Sequence, residues 1–136
     1  MSYSASSPDL SDSGAYPTFF RTCASDAFQG KAIAQFLNQD LGYTEVCTIN
    51  GKDSYSAKGA AAFSNAAYND FGMNIVKSIE INENPTDGEV DTALIQIERA
   101  LCRVVFVMSQ AGAAGIVIRD AVDKVRADGG DLAARS

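Results

Sequence analysis

After a polar opening stretch, the chain alternates between helical and strand periodicity. From Ser25 onward, Phe28, Ile33, Phe36, Leu37 and Leu41 recur at helical spacing and predict a helix from Ser25 or Asp26 to Leu41. Ser25 or Asp26 caps it and Gly42 stops it. Thr44 to Ile49 then reads as a short buried strand, with Val46 and Ile49 as its β-branched members and Cys47 between them. A loop, Asn50 to Ser54, leads into a second helix from Tyr55 to Asp70. Its face carries Ala60, Phe63, Ala67 and Phe71, and Gly72 is its C-cap. Asn74 to Ile81 is the next strand, with Ile75, Ile79, Ile81 and Lys77 on one face and Val76 on the other.

A turn-rich connection containing Pro85 precedes a third helix from Glu89 to Leu101, striped by Val90, Leu94, Ile97 and Leu101. Arg103 to Met108 is almost continuously apolar, so it is expected to be the most buried strand. A fourth helix, Gly112 to Ala127, carries Ala114, Val117, Ile118, Ala121 and Val125 on one stripe, and Gly129-Gly130 ends it. No pattern is visible from Asp131 to Ser136.

Helices alternating with short strands predict an α/β fold: a parallel sheet with helices on both faces, in three layers, each crossover right-handed. The strand at Thr44 to Ile49 is expected between the other two. Three strands are few for an independent sheet, so the chain is expected to be part of a larger one.

Composition removes several functions. The 136 residues are 46% hydrophobic and 21% charged, an ordinary globular balance for one domain or part of one. The net charge of −6 and the lack of any basic run argue against nucleic-acid binding. There is no His, which removes the commonest general base and metal ligand. Cys23, Cys47 and Cys102 are widely spaced, with no C-x-x-C, so no zinc or thioredoxin-like site is expected. Being odd in number, they cannot all pair with one another, and small buried apolar residues are the expectation. No apolar run approaches a membrane span, and the N-terminus has neither the basic region nor the apolar core of a secretory signal.

Enzyme motifs are missing where they should stand. After Ile49 comes Asn50-Gly51-Lys52-Asp53, and after Met108 comes Ser109-Gln110-Ala111-Gly112-Ala113-Ala114-Gly115, with Gln110 in place of the first glycine of G-x-G-x-x-G. The small residues after Ser109 are expected to let the fourth helix pack close to the sheet. Lys52, Asp53 and Lys58 are charges around a loop with no nucleophile to serve. No cofactor is expected.

The polar opening stretch carries the densest candidate chemistry. Tyr3-Ser4-Ala5-Ser6-Ser7-Pro8-Asp9-Leu10-Ser11-Asp12 runs on to Phe19-Phe20-Arg21-Thr22-Cys23-Ala24-Ser25-Asp26. Taken alone, Ser6 is a turn former, Asp26 a helix cap or first-turn charge and Tyr55 a half-buried aromatic. Together, hydroxyls, a carboxylate and an aromatic face suit a small zwitterion. In order and spacing these residues, with Gly42-Tyr43, Asp53-Ser54-Tyr55, Gly59 and Ala62-Phe63, resemble the Venus-flytrap ligand-binding domain of class C G-protein-coupled receptors, metabotropic glutamate receptors especially. The resemblance thins after Ile81.

The resemblance implies a partial periplasmic-binding-protein type I fold. Residues 1–26 would be the end of lobe one and the inter-lobe crossover, and 27–136 part of lobe two. It implies an amino acid held between lobes that close on it, and no catalysis. Ser4-Ala5-Ser6 would receive the ligand's α-carboxylate and α-amine, Asp26 the amine region, and Tyr55 the amine from the second lobe. Two departures stand beside these positions: Ala24 where the family has Pro, and Ser56 where it has Gly. The membrane would be reached only through parts outside this chain, on the extracellular side, and the full receptor would be a homo- or heterodimer. A soluble periplasmic solute-binding protein shares the fold and is the alternative. A small cytosolic α/β enzyme is the contrasting class.

Overall fold

A computed structural model describes residues 1–127. The Gly129-Gly130 stop and the patternless tail after it lie outside the described residues. Three strands, β1 (Glu45–Gly51), β2 (Asn74–Ile81) and β3 (Val105–Met108), form a parallel sheet in the order β2-β1-β3. Four helices surround it: α1 (Asp26–Gln35), α2 (Ser54–Phe71), α3 (Asp87–Arg99) and α4 (Ala111–Ala127). The expected architecture and strand order are both present, with the strand after α1 at the centre.

The two faces of the sheet hold separate cores. On one, Val46, Phe63, Ala66, Ala67 and Met73 pack with Ala34 of α1. The Phe63 ring stacks on Phe106 of β3 with centroids 4.0 Å apart. On the other face, Cys47, Ile49 and Ile81 meet Val90, Ala93 and Ile97 of α3 and Ala113 and Val117 of α4. Residues of opposite parity along β1 therefore serve opposite layers, as a strand covered on both sides must.

Several expectations are corrected. β1, not β3, is the most buried strand: Val46 to Gly51 are all buried, while Val105 to Met108 are half-buried. β3 lies on the sheet edge of the described residues, and edge position outweighs its apolar composition. Ile75 does not share a face with Ile79 and Ile81. Val46 pairs with Ile75 but Cys47 pairs with Lys77, so Val76 is an extra residue in β2. This bulge sends Ile75 to the Phe63 core and Ile79 and Ile81 to the other.

The large apolar residues of α1 point outward. Phe28 and Phe36 are exposed, and the buried positions are Asp26, Gly30 and Ala34. Close approach of α2 is the reason: a Cβ on Gly30 would lie 2.8 Å from the backbone nitrogen of Phe63. After Gln35 the helix widens into a π-helical turn, Phe36–Asp40, before Gly42. In α4, Ala113 and Val117 are buried while Ile118 and Val125 are exposed. Gly112 and Gly115 have open space where a side chain would go, so they do not serve close packing.

Two of the cysteines are not simply apolar. Cys47 and Cys102 form a disulfide with their Cα atoms 6.1 Å apart, and Cys23 is free. α3 stops at Arg99 rather than at Leu101. Leu101 takes a left-handed conformation, φ 55°, and is left exposed. Such a conformation costs about 1–2 kcal/mol in a residue other than glycine. It turns the chain so that Cys102 faces the central strand.

Two measurements test this packing. Gly30→Ala places a methyl against backbone that cannot move aside. It is expected to cost about 1–3 kcal/mol in chemical denaturation, and an unchanged midpoint would refute the close approach. The disulfide closes a loop with a sequence separation of 55. By chain entropy that stabilises the fold by about 4 kcal/mol. Denaturation with and without reductant should differ accordingly, and Cys47→Ala/Cys102→Ala should be insensitive to reductant.

Candidate functional site

The candidate site lies where helices begin. Gly30 sits over Ala62 and Phe63, and Ala34 joins the cluster of Ala66 and Ala67, so α1 and α2 run side by side in the same direction. Their amino ends meet the carboxyl edge of the parallel strands, where open α/β sheets bind ligands. Asp26 opens α1 behind the Ser25 cap, whose hydroxyl accepts from the Phe28 N–H at 3.3 Å. Tyr55 is in the first turn of α2.

The opening stretch folds back onto this edge. Ser2 and Arg21 form a parallel bridge, with Ser2 N–H donating to Phe20 O and Thr22 N–H to Ser2 O. Asp26 N–H donates to Ser6 O at 2.9 Å. Ser6 and Asp26, twenty positions apart, are thus direct neighbours. Asp26 is 5% exposed, and its Oδ2 is buried with no hydrogen-bond partner. A buried carboxylate oxygen without a partner is costly, and a cationic group would satisfy it.

Of the residues picked from sequence, Ser6 and Asp26 are brought together directly. Ser4 is exposed, and Ala5 is half-buried beside Ser6. Tyr55 is 45% exposed, and among the described residues no hydrogen bond joins it to Ser4, Ala5, Ser6 or Asp26. One turn further along α2, Lys58 forms an ion pair with Asp9, tying the opening stretch to that helix. Lys58 is therefore more than a loop charge. Lys52 Nζ likewise donates to Asn82 Oδ1 at 2.9 Å, joining the ends of β1 and β2.

Asp53 organises the edge between β1 and α4. Its Oδ1 accepts from the Ser56 N–H at 3.0 Å, capping α2, and from Gln110 Nε2 at 3.5 Å. Gly51 is required beneath it, since a Cβ there would lie 2.6 Å from Asp53 Oδ2. The Ser56 hydroxyl and backbone N–H hold the Asp53 carboxyl below its ordinary pKa. The hydroxyl stands nearby without hydrogen-bond geometry, and its Oγ is among the buried atoms left unpaired. The backbone N–H forms a bond and is the contact on which the capping argument rests. Ser56 itself is fully buried, so the side chain at this departure from the family pattern faces protein, not solvent.

Sequence reasoning passed over Arg21 as a site residue. Its Nη1 donates to Ser7 O at 2.9 Å and to Ala5 O at 3.5 Å, and its Nη2 to the Ser11 hydroxyl. A lone cation in a serine-rich polar stretch was the available signal, but its carbonyl partners depend on a fold-back that no periodicity reports.

Comparisons with known proteins show the family of the chain. A family model described as the receptor family ligand binding region matches residues 1–126. The chain belongs to that family. It is 29% identical to metabotropic glutamate receptor 4 of Rattus norvegicus over 126 residues, 93% of this chain and 13% of that receptor. It is 29% identical to metabotropic glutamate receptor 6 of Oryctolagus cuniculus, again over 93% of this chain and 13% of the receptor. Identity to taste receptor type 1 member 3 of Rattus norvegicus is 32% over 83% of this chain and 13% of the receptor. The chain thus spans 13% of the length of each of these relatives. Among the described residues of this receptor-family chain, no His, Cys, Asp and Glu cluster is fit to hold a metal, and no helix is long and apolar enough to cross a membrane.

The Asp53 cap makes a pH prediction. Its folded pKa is lowered, so its stabilisation is fully present above the unfolded value of about 3.9 and is lost as pH falls through the folded one. Asp53→Ala should cost about 1 kcal/mol at neutral pH. Asp53→Asn keeps the cap and should retain most of the neutral stability while flattening the acid loss. Denaturation midpoints from neutral to strongly acid pH will test both.

Proposed function

We propose that this chain forms part of the extracellular ligand-binding cleft of a class C receptor-like protein that takes a small amino acid. The observation that carries the proposal is the buried, unpaired Asp26 Oδ2 held beside Ser6. That oxygen suits an ammonium group, and the hydroxyls of Ser4 and Ser6 with the Ser6 N–H suit a carboxylate. An amino acid carries both of these charges on one small molecule. The relatives named as glutamate and taste receptors support the same class. The Cys47–Cys102 bond supports an oxidising, extracellular setting. Residues 1–26 would belong to the first lobe and the crossover, and 27–136 to the second.

Tyr55 closes the cleft from the first turn of α2. Its ring faces the ammonium when the lobes come together, and only contacts formed preferentially in the closed state shift that equilibrium. The chain's role is then binding and conformational signalling, not catalysis.

Calorimetric titration of the standard L-amino acids into the full-length protein tests this reading. Asp26→Asn removes a charge-assisted hydrogen bond of about 1.5–3 kcal/mol and should weaken binding by about tenfold to a hundredfold. Tyr55→Ala should weaken binding and reduce ligand-induced closure, while Tyr55→Phe retains most of both. Parent-like affinity in Asp26→Asn would sink the amine assignment.

A further inference from the structure

We infer that Arg21 is a positioning residue that turns the Ser4–Ser7 segment into a carboxylate acceptor. The inference rests on the reading of this edge as an amino-acid site and assigns the residue that sets its polarity.

A short extended segment can offer a ligand either carbonyl oxygens or N–H groups, and the two have opposite electrostatic sign. Here three successive carbonyls are turned inward. Ala5 O accepts from Arg21 Nη1 and from the Cys23 thiol at 3.6 Å, Ser6 O from the Asp26 N–H, and Ser7 O from Arg21 Nη1. Arg21 supplies a donor to two of the three. Among the described residues, the Ser6 and Ser7 N–H groups make no hydrogen bond and are left for a ligand. The Ser4 and Ala5 N–H groups, by contrast, are used by the Ser2 hydroxyl at 3.3 and 3.0 Å.

Charge points the same way. Asp9, Asp12 and Asp26 lie around the segment in sequence. Lys58 is engaged with Asp9 and Lys52 with Asn82. The Arg21 guanidinium is the positive charge bonded to the segment itself, and losing it leaves a carboxylate-rich stretch less able to take an anion. Arginine is suited to this task because its planar fork spans two carbonyls and a hydroxyl at once, which a lysine ammonium on a flexible stem does not.

The test uses the full-length protein with Arg21→Ala and Arg21→Lys. Amide hydrogen exchange is followed at residues 2–7 and, as a reference, at β1. L-Alanine, L-serine and L-glutamate are titrated beside their α-carboxamides, which keep the amine and lose the carboxylate. In Arg21→Ala, exchange at the bonded N–H groups of Ser2, Ser4 and Ala5 should rise about tenfold or more while β1 is unchanged, and the acid-to-amide affinity ratio should fall about tenfold. Arg21→Lys should keep part of the ratio but not the protection, and it carries the test if Arg21→Ala fails to fold. Unchanged exchange overturns the positioning role. Raised exchange with an unchanged ratio overturns the carboxylate role and leaves Arg21 purely structural. If the parent binds none of the three acids, the carboxylate role is overturned, and the titration of the standard L-amino acids decides the wider reading separately.

Discussion

The structure depends on β1 being hydrogen-bonded along both edges and covered on both faces. A parallel strand in that position reaches water on neither side, so its apolar residues serve both faces. Its buried polar residues bond within the protein, Thr48 Oγ1 donating to Ser78 Oγ at 2.9 Å and Asn50 Nδ2 to Gly51 O at 3.1 Å. Val46 faces one helical layer, Cys47 and Ile49 the other. Everything else is placed by reference to this strand. α2 leaves its carboxyl end to cover one face, β2 and β3 pair to its two sides, and α3 and α4 cover the opposite face. The bulge at Val76 is tolerated because it falls on β2, where Val76 can be left partly exposed.

The central strand also sets where chemistry can occur. Its carboxyl end delivers Gly51, Lys52 and Asp53 to the same edge that receives the amino ends of α1 and α2, and Gln110 reaches Asp53 from the loop before α4. Backbone donors at those helix ends are only partly satisfied within their helices. The opening stretch uses one of them, the Asp26 N–H, to anchor Ser6. A segment with no regular structure of its own thereby acquires a fixed position from a helix terminus and one arginine.

The sequence made the fold legible where burial follows period. Element type, strand order and the Ser25 and Gly72 caps are all readable because caps and apolar repeats are local. What was not legible is non-local. β3 is more continuously apolar than β1, yet position in the sheet, not composition, decides which is buried. Phe28 and Phe36 mark a helical stripe, but the face that meets α2 is the one with Gly30 and Ala34, since backbone proximity there excludes large side chains. The pairing of Cys47 with Cys102 needed knowledge that the end of α3 lies against β1. At the site, serine and aspartate types were readable, and the neighbourhood of Ser6 and Asp26 emerges only from the fold-back. Tyr55 opens the neighbouring helix on the same edge, with no hydrogen bond to either among the described residues.

The disulfide also imposes an order on biosynthesis. Cys47 lies in β1 and Cys102 just before β3, with α2, β2 and α3 between them. A chain emerging from the ribosome amino end first presents Cys47 with no native partner until all three intervening elements have been synthesised. During that interval the exposed thiol nearest in sequence is Cys23, twenty-four positions earlier. A bond between Cys23 and Cys47 in that interval would leave Cys102 without its partner, so the pairing found in the fold is the one that has to wait for α3.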